Sequence, residues 1–265
     1  MISGATRILV IVGDPIAKVR SPETFGRRFA AKGIDAAIIP VEVSAADLRV
    51  VVDGLKRWRN LAGIVVTMPH KEAMLGFADE VFETGRLVGA VNALRPTGDG
   101  GWQADMFDGI GFVGGMTAQG LSAQGRRVAL LGAGGAGSAI AVGLARAGAA
   151  AMCVHDLDAR KAERLVSALQ RAFPQLQARV APPDLARDDL LVNATPLGMQ
   201  ETDPLPWDLA GLRPGAIVGD VTTKPDTPPF IAAAERLGAP VVRGRDMHEG
   251  QIRALGEFFG FDLAA

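Results

Sequence analysis

The sequence predicts an α/β protein of two domains, and three observations carry that reading. Strand-length apolar runs alternate with amphipathic stretches along nearly all of the 265 residues, the order in which a mainly parallel sheet acquires its covering helices. The alternation is interrupted once, at the turn-forming Gly98-Asp-Gly-Gly101 and the segment Asp105–Asp108, and then starts again. The second series opens with Val128-Ala-Leu-Leu-Gly-Ala-Gly-Gly-Ala-Gly137, an apolar run that empties into glycines and then into an alanine-rich, helix-forming stretch.

In the first series Arg7–Val12 reads as a strand, Pro22–Lys32 as an amphipathic helix with proline in its first turn, and Ala36–Val41 as a second strand. Ala45–Trp58 reads as a helix, Gly63–Met68 as a strand and Pro69–Phe82 as a helix, with Trp102–Asp105 a short extended piece after the turn. In the second series a strand from Arg127 leads into the helix of Gly132–Gly148, followed by strand Ala151–His155 and helix Ala159–Phe173. Strands Leu190–Asn193 and Ala216–Val221, helix Pro229–Leu237 and strand Pro240–Val242 complete it. The last helix, Met247–Phe259, has Ile252, Leu255 and Phe259 as its apolar stripe and Asp246 with Glu249 as a capping box. It is expected to return to the first domain, so the expected division is 1–105 plus 245–265 for one domain and 106–244 for the other.

Each glycine of Gly132-x-Gly134-x-x-Gly137 has its own physical reason. Gly132 lets the strand turn tightly, Gly134 removes a side chain where a pyrophosphate must approach the backbone, and Gly137 lets helix and strand pack closely. A pyrophosphate would then lie on the unpaired N–H groups and the positive dipole end of the helix. The next strand ends in Asp156, about 20 residues beyond the glycines, the placement of an acid that accepts from an adenosine ribose. This is the pattern of a Rossmann dinucleotide-binding domain. A carboxylate there repels the ribose phosphate of NADP, so NAD is the expected cofactor. NADP is the alternative, through Arg160 and Lys161 on the following helix.

Composition removes several other classes. A content of 48% hydrophobic and 22% charged residues is that of a soluble globular protein, and the net charge of -1 gives no reason to expect nucleic acid or an anionic membrane as partner. The single Cys153 excludes a disulfide framework and a cysteine-based zinc site and fits a reducing cytoplasm; His70, His155 and His248 show no ligand spacing, so no metal is expected. Val128 to Ala145 carries no charge, but its glycines divide it into a strand and a helix rather than a membrane span, and no signal peptide is expected at the N-terminus. The absence of tyrosine removes dehydrogenases whose proton donor is a phenol.

A dehydrogenase must also handle the hydroxyl proton. Lys71, in Val65-Val-Thr-Met-Pro-His-Lys71, is the first candidate: in the first turn of a helix, the positive dipole end would disfavour its charged form. Its alternative is a surface lysine. Asp108, between Phe107 and Gly109, is a carboxylate or an N-cap. Asn92 is an amide in an apolar run that binds a ligand or satisfies neighbouring backbone; Ser21 before Pro22 is a ligand contact or a helix cap; Gln251 on the last helix is a ligand contact or a half-exposed glutamine.

Gly13-Asp-Pro-Ile-Ala17 with Ser21-Pro22, Val66-Thr-Met-Pro69 with Lys71, Gly89-Ala-Val-Asn92, Asp108-Gly-Ile-Gly111, Gly132-Ala-Gly-Gly-Ala136, Asn193-Ala-Thr-Pro-Leu-Gly-Met199 and Gln251 fall in the order seen in shikimate dehydrogenases. Over nearly its whole length the chain resembles that family. The resemblance implies an N-terminal α/β substrate domain, a Rossmann NAD(P) domain, and interconversion of a ring hydroxyl and a ketone on shikimate, quinate or a related cyclic hydroxy acid or polyol. It implies Lys71 and Asp108 as the catalytic pair, with Lys71 the acid/base, and Ser21, Thr67, Asn92 and Gln251 as substrate contacts. It places Gly132, Ala133, Gly134, Gly135, Ala136, Gly137, Asp156, Asp158, Thr195, Met199, Val221 and Gly244 around the cofactor. Asp156 with Asp158 resembles the NAD-preferring quinate/shikimate members.

The departures from the family are mostly losses of polar groups. A hydroxyl two positions before the Ser-Pro pair is Val19, an asparagine two before the threonine is Val65, the Asn-Thr before the aspartate is Met106-Phe107, a tyrosine after the Asp220 strand is Thr223, and a glycine is Asp246. The expected protein is therefore a cytoplasmic monomer or homodimer with a divergent substrate pocket. A non-catalytic NAD-binding sensor is the rival reading, against which the retained Lys71 and Asp108 speak.

Overall fold

The computed structural model describes residues 2–200 and 202–263; Met1, Ala264 and Ala265, which the expected domains included, lie outside the described residues. The chain forms two compact units, Met1–Phe107 with Ile252–Ala265, and Asp108–Gln251. They divide at Phe107/Asp108 and Gln251/Ile252, where the expected divisions were 105/106 and 244/245.

In the first unit a six-stranded sheet has strands β1 (Arg7–Gly13), β2 (Ala36–Glu42), β3 (Leu61–Val66), β4 (Glu80–Val81), β5 (Ala93–Pro96) and β6 (Trp102–Asp105) in the order β2-β1-β3-β5-β6-β4. β1 is parallel to β2 and β3, whereas β5 runs antiparallel to both β3 and β6. The mainly parallel expectation missed β5. Its pairing with β6 is closed by the Gly98–Gly101 turn, where the Thr97 N–H donates to the Gly101 carbonyl at 2.8 Å. The alternation of β1 reads directly as two buried faces. Ile8, Val10 and Val12 pack with Leu48, Val52 and Leu55 of α2 (Leu48–Leu55), while Leu9 and Ile11 pack with Phe25 and Phe29 of α1 (Ser21–Lys32) and with Ile252, Leu255, Phe258 and Phe259.

The stretch Pro69–Phe82 is not the expected helix. Residues 68–72 form turns and only Ala73–Phe77 is helical, as a 3₁₀ helix. The reason is tertiary: the Lys71 carbonyl accepts from Val91 N–H at 2.9 Å, and the Leu75 N–H reaches Glu72 rather than Lys71. A short helix, α3 (Glu83–Val88), also absent from the expected series, precedes β5.

The second unit has a six-stranded, wholly parallel sheet of β7 (Arg127–Leu131), β8 (Ala151–His155), β9 (Gln177–Val180), β10 (Leu190–Asn193), β11 (Ile217–Asp220) and β12 (Val241–Val242), ordered β12-β11-β10-β7-β8-β9. This doubly wound order matches the expected Rossmann domain. Helices α5 (Gly135–Arg146), α6 (Ala159–Ala172) and α7 (Pro229–Arg236) alternate with the strands; the last helix, α8, spans Gly244–Phe259. α8 begins before the expected Met247, and Asp246 is not its N-cap. The Asp246 carboxylate accepts from the backbone N–H of Arg243 at 2.8 Å, the third-position half of a capping box.

A longer helix that sequence periodicity did not reveal is α4 (Asp108–Ala118), because glycine rather than an apolar stripe makes its contacts. A Cβ on Gly109 would overlap the Ala139 carbonyl oxygen of α5, and one on Gly143 of α5 would lie 2.6 Å from the Gly109 carbonyl oxygen. On the α8 side, a Cβ on Gly111 would lie 2.6 Å from the Met247 oxygen and one on Gly115 2.7 Å from the Asp246 oxygen. Backbone meets backbone, with no side chain between.

Gly143→Ala is therefore expected to lower stability by about 1–3 kcal/mol through overpacking, although alanine is the better helix former. Gly54→Ala in α2, where a Cβ meets nothing within 4 Å, is expected to raise it by about 0.4–1 kcal/mol. Denaturant midpoints of the two variants check this; equal tolerance of both would contradict the close crossing.

Candidate functional site

Parallel strands deliver their C-terminal ends to one edge, and in the first unit the candidate residues collect there. β1 ends at Gly13 beside Thr67, which follows β3; the Thr67 N–H donates to the Val12 carbonyl at 2.9 Å and Asp14 N–H to Met68 at 3.0 Å. A Cβ on Gly13 would overlap the Thr67 methyl group, which is why this strand ends in glycine. Asn92 lies opposite, since the Val66 N–H donates to its carbonyl at 2.8 Å, and Lys71 is tied to the same segment through Val91. Thr67, Lys71 and Asn92 are thus held at one edge by backbone hydrogen bonds. Thr67 and Lys71 are half-buried and Asn92 is buried.

Two explanations of these residues change. Lys71 precedes a five-residue 3₁₀ helix rather than lying in the first turn of an α-helix, so the dipole argument for its proton affinity falls. Ser21 is the first residue of α1, buried, and the N-cap is Arg20 with no side-chain cap, so Ser21 is not a capping serine. The side-chain oxygen of Asn92 accepts from the Phe107 N–H at 2.9 Å, which fixes the backbone just before Asp108. The apolar departures are packed into the core: Val65, Met106 and Phe107 are buried, Val19 packs against the same cluster, and the Phe107 ring lies 5.2 Å from that of Phe258.

In the second unit Asp108 opens α4 and is 3% exposed. Gln251 is buried rather than half-exposed, with its amide nitrogen 3.5 Å from His248 Nδ1, and a Cβ on Gly111 would lie 2.8 Å from its own Cβ. The α4–α8 crossing therefore sets Gln251 against Gly111, one helical turn from Asp108, within this unit.

The glycine loop follows β7. Gly132 has φ +94° and accommodates the Ala194 carbonyl, 2.9 Å from where a Cβ would stand; Gly137 receives the Gly132 carbonyl oxygen. Gly134 is the N-cap of α5, a Cβ there meets nothing within 4 Å, and Gly134, Gly135 and Ala136 are half-buried where Gly132, Ala133 and Gly137 are buried. The Asp156 carboxylate accepts from the Ala133 N–H at 2.7 Å and from the Asp158 N–H at 2.8 Å, which turns it toward the loop. Asp158 caps α6 by accepting from Arg160 N–H at 3.1 Å.

A buried polar cluster holds the opposite rim. Asn193 ends β10 and Asp220 ends β11, both fully buried. The Asn193 amide donates to Asp220 at 2.9 Å and to the Leu197 carbonyl at 3.0 Å, while its oxygen accepts from the Thr195 hydroxyl at 2.7 Å. Burial holds the Asp220 carboxyl above the usual carboxylate range, opposed by the Asn193 amide and the Thr222 N–H at 2.8 Å. Val221 N–H donates to the Asn193 carbonyl, Met199 follows the positive-φ Gly198, and a Cβ on Gly244 would lie 2.6 Å from the Val221 oxygen. Asp220 and His248 are additions to the sequence reading. A polar residue closing an all-apolar strand, as in Leu190–Asn193 and Ile217–Asp220, is the signal that marks the first; a lone histidine in a helix marks nothing.

Among the described residues no helix is long and apolar enough to cross a membrane, and no three or more His, Cys, Asp or Glu side chains cluster to hold a metal.

Residues 11–94 match the profile of the shikimate dehydrogenase substrate binding domain. The chain is 39% identical over 253 residues to a shikimate dehydrogenase (NADP(+)) of Acidiphilium cryptum, covering 93% of this chain and 88% of that protein. Among solved structures it is similar to the shikimate 5-dehydrogenase of Listeria monocytogenes in complex with shikimate and NAD, with TM-score 0.87, 28% identity, and 98% and 93% of the two chains covered. It is equally similar to the 5-ketofructose reductase of Gluconobacter sp., with TM-score 0.86, 29% identity, and 99% and 96% covered. The chain belongs to the shikimate dehydrogenase family and is an NAD(P)-dependent oxidoreductase acting on a CH–OH group.

Proposed function

We propose that this enzyme interconverts a hydroxyl and a ketone on a cyclic hydroxy compound or ketose that presents little or no carboxylate, and that it prefers NAD. One observation carries the substrate reading. Lys71, Thr67 and Asn92 are kept at one sheet edge while Val19, Val65, Met106 and Phe107, where the family offers polar groups, are packed among apolar side chains. An apolar wall does not replace the hydrogen bonds that a carboxylate loses on leaving water. The similarity to a 5-ketofructose reductase, named for a ketose without a carboxylate, supports the same reading.

In this proposal 1–105 with 245–265 binds substrate and 106–244 binds the nucleotide. Ser21, Thr67, Asn92 and Gln251 bind and orient the substrate. Lys71, with Asp108, takes the proton from the reacting hydroxyl as the carbonyl forms and returns it in the reverse direction. The bound nicotinamide supplies the hydride acceptor or donor. Gly134, Gly135 and Ala136, at the start of α5, cradle its pyrophosphate, and Gly132, Ala133 and Gly137 shape the loop beneath it by close approach; Asp156 accepts from the adenosine ribose, and the nearly fully exposed Leu157 offers apolar surface beside it. Asp158, its side chain engaged as a cap, acts by fixing Asp156; Thr195, Met199, Val221 and Gly244 shape the nicotinamide side, where the Thr195 hydroxyl is spent on closing its loop.

Restoring polarity tests the pocket. Val19→Ser combined with Thr223→Tyr is expected to raise kcat/KM for shikimate by about tenfold or more, because donors toward a carboxylate return; no gain in a folded double variant would contradict the depleted pocket.

The cofactor reading has its own test. The Asp156 carboxylate repels a ribose phosphate, so NAD is expected to bind more tightly than NADP, and Asp156→Ser to narrow the gap by removing the repulsion. Fluorescence titration of both nucleotides measures it. Equal or tighter binding of NADP by the unmodified protein, the cofactor in the names of the curated relatives, would overturn it.

A further inference from the structure

We propose that the first unit carries a second ligand site, for a small multivalent oxyanion, in a cavity of about 650 Å³ lined by Arg7, Arg59 and Arg95. Its place separates it from the candidate active site. Arg7 opens β1 and Arg59 precedes β3, so the cavity lies at the N-terminal edge of these parallel strands, whereas Thr67, Lys71 and Ser21 follow their C-terminal ends. Strands of this length hold the two edges about 20 Å apart.

The chain as a whole is balanced, at a net charge of -1, but no Asp or Glu is among the residues lining this cavity. Two of the three guanidinium groups are held in fixed positions. Arg95 donates to Gln103 Oε1 at 3.0 and 2.8 Å and to the Phe258 carbonyl at 2.7 Å, with its guanidinium 4.6 Å from the Phe258 ring centroid. Arg7 donates to the Phe259 carbonyl at 3.1 Å and to Gly260 at 3.4 Å, and lies 4.2 Å from the Phe261 ring centroid. Neither set exhausts the five N–H donors of a guanidinium, and Arg59 is exposed with no ion pair among the described residues.

The carbonyls that Arg7 and Arg95 meet are the C-terminal end of α8, which presents about half a negative charge. That half charge, with the Glu80 carboxylate that accepts from Gln103 at 2.7 Å behind Arg95, still leaves the three guanidinium groups in excess. Planar guanidinium forks suit carboxylate and phosphate oxygens, and the volume suits a small molecule rather than a polymer.

Isothermal titration of the full chain with citrate and, separately, with inorganic phosphate at constant ionic strength tests this. At least one is expected to bind saturably with Kd near or below about 1 mM. The two arms separate a carboxylate-rich ligand from a phosphate-bearing one. Arg59→Ala is expected to weaken binding several-fold and Arg59→Glu by about tenfold or more, since both act on an exposed side chain that leaves the fold and the basal dehydrogenase rate unchanged. Absence of saturable binding of either anion, or binding that Arg59→Glu leaves unaltered and that therefore lies elsewhere, would overturn the proposal.

Discussion

The second unit depends on backbones that touch without side chains between them. Gly109 against Ala139, Gly143 against Gly109 and Gly111 against Met247 let α4 lie directly on α5 and α8. Each contact leaves no room for a Cβ, so neither helix can shift along the other without a clash. Asp108 at the start of α4 and Gln251 in α8 take their places from this crossing, and α5 begins with Gly134 as its N-cap and Gly135 and Ala136 in its first turn, the proposed nucleotide contacts. The proposed catalytic and substrate residues of this unit are placed by residues that have no side chain to do chemistry.

The glycine loop and the polar cluster opposite it show two ways of holding a rim. Gly132 and Gly137 work by close approach, whereas Asn193 and Asp220 work by hydrogen bonding inside a dry sheet end, where an unpaired partner is costly. Every polar atom of the Asn193 side chain is committed, to Asp220, Leu197 and Thr195. The loop of 193–199 is consequently built from within.

Sequence was most informative where a periodic pattern and a local chemical reason agree. β8 and β10 have the expected bounds, and the tight turn at Gly132 and the close packing at Gly137 follow from where a Cβ has no room. It was least informative where distant backbone decides the outcome. Pro69–Phe82 has helical spacing, yet the Lys71 carbonyl is drawn to Val91, and no local pattern reveals that bond. α4 was missed because its contacts are glycines, which read as loop. Among candidate residues, Thr67, Lys71 and Asn92 are brought to one edge as their motifs suggested, while the reasons first attached to Lys71 and Ser21, a helix dipole and a cap, are not the ones the structure provides.

The chain keeps Lys71 and Asp108, the residues proposed to handle the proton, and has Val19, Val65, Met106 and Phe107, apolar and packed away, where the family offers polar groups. The most direct test is the kcat/KM of the unmodified enzyme for shikimate against 5-ketofructose, each with its matching NAD form and with Lys71→Ala as the inactive control. A depleted carboxylate site gives a value for the ketose at least about tenfold above that for shikimate, with activity on both lost in the control. Turnover of shikimate at about 10⁴–10⁸ M⁻¹s⁻¹, exceeding that of the ketose, would contradict it and identify an ordinary shikimate pocket.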